Sequence, residues 1–73
     1  PSTSITYYIP EFSFVSIDVY NLNGQKVYSL YNGVRNPGVY TIDWNASGLT
    51  SGIYMIKMAA GSYIDTKKVM LLK

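Results

Sequence analysis

The chain has 73 residues, no cysteine or histidine, and a net charge of +2 from six Lys/Arg against four Asp/Glu. So short a chain makes one small domain that buries about 60% of its unfolded surface, with a stability of a few kcal/mol and no disulfide support. The charge is too mild for a nucleic-acid binder, the longest apolar run (Val69-Met70-Leu71-Leu72) is far too short for a membrane helix, and no signal peptide is read.

Short runs rich in Val, Ile, Thr and Tyr alternate with Gly and Pro, and no window keeps a 3.6-residue period. This predicts strands and no long helix. Ile5 to Ile9 alternates with Ile5, Tyr7 and Ile9 inward, and Pro10 stops it, which suits an edge strand. Phe14 to Tyr20 is the second strand, with Val15, Ile17 and Val19 inward. Asn21 suits the first position of a type I turn, and Gly24 the left-handed position that closes a bulged hairpin. That loop sets Asn21 opposite Gln25 and Val19 opposite Val27. A two-residue Asn23-Gly24 turn would instead point Val27 outward. In the third strand, Gln25 to Leu30, Val27 and Leu30 cannot both face inward without a bulge or bend.

Tyr31 to Gly38 reads as a turn-rich crossing between sheets, with room for a seventh strand near Val34-Arg35. Val39 to Trp44 places Tyr40, Ile42 and Trp44 inward, and Asn45 to Gly48 is a loop. Gly52 closes the next turn, and Tyr54, Ile56 and Met58 then share one face. The spacing of Leu49, Gly52 and Tyr54 resembles the tyrosine corner of Greek-key sandwiches, in which a Tyr hydroxyl bonds back to the upstream backbone. A core-facing Tyr needs such a partner, because an unpaired buried hydroxyl costs about 1–3 kcal/mol. An ordinary half-buried strand Tyr is the other reading. In the last strand, Tyr63 to Leu72, Val69 and Leu71 share one face, and Met70 and Leu72 the other. Both faces are apolar there, which implies a covered or bulged strand. The expected fold is an all-β antiparallel sandwich of about seven strands, with Val15, Ile17, Val19, Ile42, Trp44, Tyr54 and Ile56 in one core.

Five segments, Ser2 to Pro10, Val19 to Val27, Tyr40 to Asn45, Leu49 to Tyr54 and Lys67 to Lys73, together resemble the C-terminal sorting domain of the type IX secretion system. Ser2-Thr3-Ser4-Ile5-Thr6-Tyr7-Tyr8-Ile9-Pro10 resembles its P-S-T-x-I-x-Y-x-L-P opening. Val19 to Val27 is similar to V-Y-D-x-x-G-R-x-V, Tyr40 to Asn45 to H/Y-x-V-x-W-D/N, Leu49 to Tyr54 to L-x-S-G-x-Y, and Lys67 to Lys73 to K-K-x-x-L-x-K. The five follow in the family's order over nearly the whole chain, although Asn21 replaces the usual Asp and Gln25 the usual Arg. The resemblance implies an Ig-like, Greek-key sandwich similar to the Ig-like domain of the flagellar hook-capping protein. It further implies a single domain, residues 1–73, at the C-terminus of a larger secreted protein, directing upstream cargo through the periplasm and across the outer membrane to the cell surface. Its partners would be the translocation and attachment machinery, and its recognition segment Lys67, Lys68, Val69, Met70, Leu71, Leu72 and Lys73. Gly24, Trp44, Leu49, Gly52 and Tyr54 would be the structural motif.

The chain lacks the nucleophile–base pairs that need His or Cys. Glu11, Asp18, Asp43 and Asp65 read as solvated acids rather than a glycosidase pair, and Asp43 with Asn45 is too sparse for a calcium site. No catalytic residue, metal or cofactor is expected. Asn45-Ala46-Ser47 fits a glycosylation triplet but reads as turn chemistry. Tyr8, Phe14, Tyr20, Tyr28, Tyr31 and Tyr63 are left as candidates for exposure. They support a competing reading, a structural or sugar-binding accessory domain on an extracellular enzyme. Lys67, Lys68 and Lys73 serve either as a recognition patch or as protection for an edge strand.

Overall fold

A computed structural model describes residues 2–72, with side chains from Thr3 onward. Its elements are β1 (Ser2–Ile9), β2 (Ser13–Tyr20), β3 (Lys26–Arg35), β4 (Gly38–Asn45), β5 (Gly52–Ala60) and β6 (Tyr63–Leu71), with no helix among the described residues. All pairings are antiparallel. β1 and β4 form a two-stranded sheet, and the other four strands lie in the order β3-β2-β5-β6.

Period-two alternation builds the core. Val15, Ile17 and Val19 of β2 are fully buried, beside Tyr54, Ile56, Met58 and Ala60 of β5. Tyr7 and Ile9 of β1 and Trp44 of β4 complete the cluster from the smaller sheet, with Ile42 half-buried against it. The expected core is therefore found. Ala46, expected in a plain loop, is also buried. Asn45 Oδ1 accepts the Ser47 N–H at 3.0 Å, and the Leu49 N–H donates to Ala46 O at 3.0 Å. These bonds fold the loop back so that Ala46 enters the core.

The β2–β3 turn is the bulged hairpin. The Gly24 N–H donates to Asn21 O and the Asn21 N–H to Gln25 O, both at 3.0 Å, and Gly24 has a φ of 83°. Asn21 Oδ1 accepts from the Asn23 and Gln25 N–H groups, each at 3.0 Å. An Asn therefore serves where the family pattern has Asp, because a neutral carbonyl oxygen accepts both bonds.

Beyond the turn the register differs from expectation. Val19 lies opposite Tyr28 rather than Val27, with breaks between Val19 and Tyr20 and between Ile17 and Asp18. Each break inserts one residue into β3, Val27 in the first and Leu30 in the second, and both pack against the core. Two bulges thus reconcile two apolar positions of opposite parity.

The other correction concerns Tyr31 to Arg35. This stretch continues β3, paired with Ser13 to Ile17, and the chain crosses between sheets only at Asn36-Pro37. Val34 and Arg35 end β3 instead of forming a seventh strand, so the described residues hold six strands. Tyr31, expected among the exposed aromatics, packs against the core, and Tyr20 is half-buried. Tyr8, Phe14, Tyr28 and Tyr63 are exposed.

Candidate functional site

β6 is the last strand of its sheet. It pairs with β5 without a break from Gly52↔Leu71 to Ala60↔Tyr63, and no strand among the described residues pairs with its other edge. The pleat separates the predicted recognition residues. Lys67, Val69 and Leu71 lie opposite Ile56, Tyr54 and Gly52 on the inner side, whereas Lys68 and Met70 lie opposite Met55 and Ile53 on the outer side. Val69 and Leu71 pack against the core, and Met70 and Leu72 are 66% and 76% exposed. The strand is therefore neither covered on both faces nor bulged: one apolar pair anchors it and the other is presented to solvent. Lys67 and Lys68 are both exposed, on opposite faces. Lys73 lies outside the described residues.

The structural residues sit at the other end of β5. The Tyr54 hydroxyl donates to Thr50 O at 2.7 Å, so its polar end is satisfied inside the sandwich. The ring meets Trp44 edge-on, with centroids 6.2 Å apart and planes at 81°. Trp44 belongs to β4 and Tyr54 to β5, so this contact joins the two sheets. Leu49 is half-buried against the core and Gly52 opens β5. Tyr54→Phe is expected to lose about 1 kcal/mol through the missing hydroxyl bond, read as a lowered urea midpoint at unchanged slope. A Phe variant as stable as the parent would remove the hydroxyl's role.

A second joint between the sheets was not foreseen. Arg35, the final residue of β3, lies between two rings, 4.3 Å from the Tyr31 centroid and 4.6 Å from that of Tyr40. Tyr40 in turn stacks on Tyr7 at 5.6 Å. Gly33 leaves the room, since a Cβ there would sit 3.1 Å from Tyr31 Oη. The available signal was the spacing of Tyr31, Gly33 and Arg35, which share a face at strand period.

Asp18 pairs with Lys26 at 3.9 Å, and Asp43 accepts from the Ser4 hydroxyl at 2.8 Å. Glu11 and Asp65 are exposed. The exposed Tyr8, Phe14, Tyr28 and Tyr63 lie on four different strands, so they do not line up along one strand as a stacking row.

A family model described as the secretion system C-terminal sorting domain matches residues 1–72. No curated protein and no solved structure matches the chain significantly. The chain belongs to the secretion system C-terminal sorting domain family, whose members are the C-terminal signals that work with the type IX machinery to bring an attached upstream cargo to the cell surface or beyond.

Proposed function

We propose that β6 carries the address that the export machinery reads. The observation behind this reading is a free strand edge, paired on one side only, that bears Lys67, Lys68 and the exposed Met70, with Leu72 just beyond it. A free edge offers backbone donors and acceptors to an added strand, and alternate side chains then give specificity. Lys67, Lys68 and Lys73 discourage β6 from pairing with another β6 and give a partner charges to recognise. In this reading residues 1–73 are one domain at the C-terminal end of a longer exported protein, which passes through the periplasm. The domain is an address and performs no catalysis. The return of β5 beside β2 after β3 and β4, with Tyr54 bonded to the upstream backbone, supports an Ig-like Greek-key sandwich.

The test is a reporter fused ahead of the domain in a type IX-competent host. The intact domain is expected to bring the reporter to the surface, and deletion of Lys67 to Lys73 to leave it in the periplasm. Glu11→Ala, far from β6 in the chain, is expected to export normally. Surface arrival of the truncated fusion would reduce β6 to a structural strand.

A further inference from the structure

We propose that the free edge of β1 is a self-association surface: two copies pair β1 with β1 in antiparallel fashion, joining their two-stranded sheets into one four-stranded sheet of order β4-β1-β1-β4. The inference is independent of the sorting role.

Four strands lie at sheet edges: β1, β4, β3 and β6. Free edges invite pairing, and folded proteins protect them with charges, bulges or prolines. β3 has two bulges and carries Lys26 and Arg35. β6 carries Asp65, Lys67 and Lys68, and β4 carries Asp43. β1 has none of these devices within its length, Pro10 coming only after its end. Its eight residues, Ser-Thr-Ser-Ile-Thr-Tyr-Tyr-Ile, include no charge, glycine or proline, and its register with β4 is unbroken. Ile, Thr and Tyr are strong strand formers, and β1 is unbulged, uncharged and apolar on its inner side at Ile5, Tyr7 and Ile9.

The ground beside this edge is largely apolar. Between β1 and β6 lies a cleft of about 30 Å³ to which Ile5, Tyr7, Ile17, Ile56 and Met58 bring apolar side chains and β6 brings Asp65 and Lys67. Ile5 is only half-buried there. The smaller sheet has two strands against four in the larger, so a strand added along β1 widens the narrower layer of the sandwich.

A second copy suits the edge because β1 is complementary to itself. Setting Thr6 opposite Thr6, or Ile5 opposite Ile5, about a two-fold axis keeps inward residues opposite inward ones, and no charge meets a like charge. The same pairing by β6 would bring lysines together. One strand pair buries less than the roughly 1,600 Å² of a standard interface, so the dimer is expected to be weak and concentration-dependent.

Sedimentation velocity over a concentration series of the 73-residue chain tests this, combined with hydrogen exchange at each concentration. The expected result is a monomer–dimer equilibrium in which rising concentration protects amides of β1 and not of β6. Thr6→Lys and Tyr8→Lys replace exposed residues on the solvent face of β1. Each is expected to weaken the dimer about tenfold while leaving the circular dichroism of the monomer unchanged. Lys68→Ser is expected to leave the dimer unaffected. A chain monomeric at every concentration, or a dimer that ignores both β1 lysines, would overturn the proposal. So would a dimer strengthened by Lys68→Ser with protection on β6, which would move the surface to the other edge.

Discussion

Trp44→Ala is expected to leave a large share of the chain unfolded at 25 °C, seen as lost near-ultraviolet dichroism and collapsed amide dispersion. Trp44 is 1% exposed, the largest fully buried side chain of the sandwich, and its ring spans from β4 to Tyr54 on β5. Truncating such a residue costs about 3–5 kcal/mol, from lost transfer free energy and the cavity left behind. A single small core supplies no more than about 3–5 kcal/mol in all, so the variant sits near its midpoint or below. Trp44→Phe separates two contributions. The buried Trp44 indole N–H has no hydrogen-bond partner among the described residues, and a buried donor left unpaired costs about 1–3 kcal/mol. Phe loses volume but also removes that donor, so its net cost is expected to be about 1–2 kcal/mol. Equal losses for Ala and Phe would mean that the site tolerates no smaller ring and that the unpaired N–H costs little.

The sequence was most legible where one face of a strand is buried and the other wet. Val15, Ile17 and Val19 alternate without interruption, and burial follows that pattern. Tyr54 was legible for a chemical reason, since its buried hydroxyl had to reach a partner, and Thr50 O is near enough in sequence to serve. β3 was harder to read. Asn32-Gly33 has turn composition, yet here Gly33 makes room for the Tyr31 ring at a sheet edge. The bulges at Val27 and Leu30 were foreseen as a need, because the two residues differ in parity, but pairing alone could not locate them. β6 was ambiguous because apolar residues occupy both of its faces. Only the three-dimensional arrangement shows that one face rests on the core, that the other is open, and that the strand lies at an edge. The candidate address was legible through resemblance rather than chemistry, since two lysines beside four apolar residues specify no reaction.

Arg35→Ala is expected to cost about 2 kcal/mol, measured as a shift of the urea midpoint followed by Trp44 fluorescence. The guanidinium lies between Tyr31 of β3 and Tyr40 of β4, so it holds the two sheets together where the chain crosses from one to the other. A cation over an aromatic face contributes about 0.5–1 kcal/mol when exposed and about 2 when desolvated, and this half-buried group has two faces to meet. Its buried Nε has no hydrogen-bond partner among the described residues, which offsets part of that gain. Arg35→Lys is expected to recover about half of the loss: the charge and an apolar stem remain, but a compact ammonium lacks the flat surface that stacks on both rings. Arg35→Met keeps the stem and drops the charge, so comparing Met with Ala isolates packing. A double-mutant cycle between Arg35→Met and Tyr40→Leu is expected to show a coupling of at least about 0.5 kcal/mol. Strict additivity would mean that the stacked geometry contributes nothing and that packing elsewhere holds the sheets together at this end.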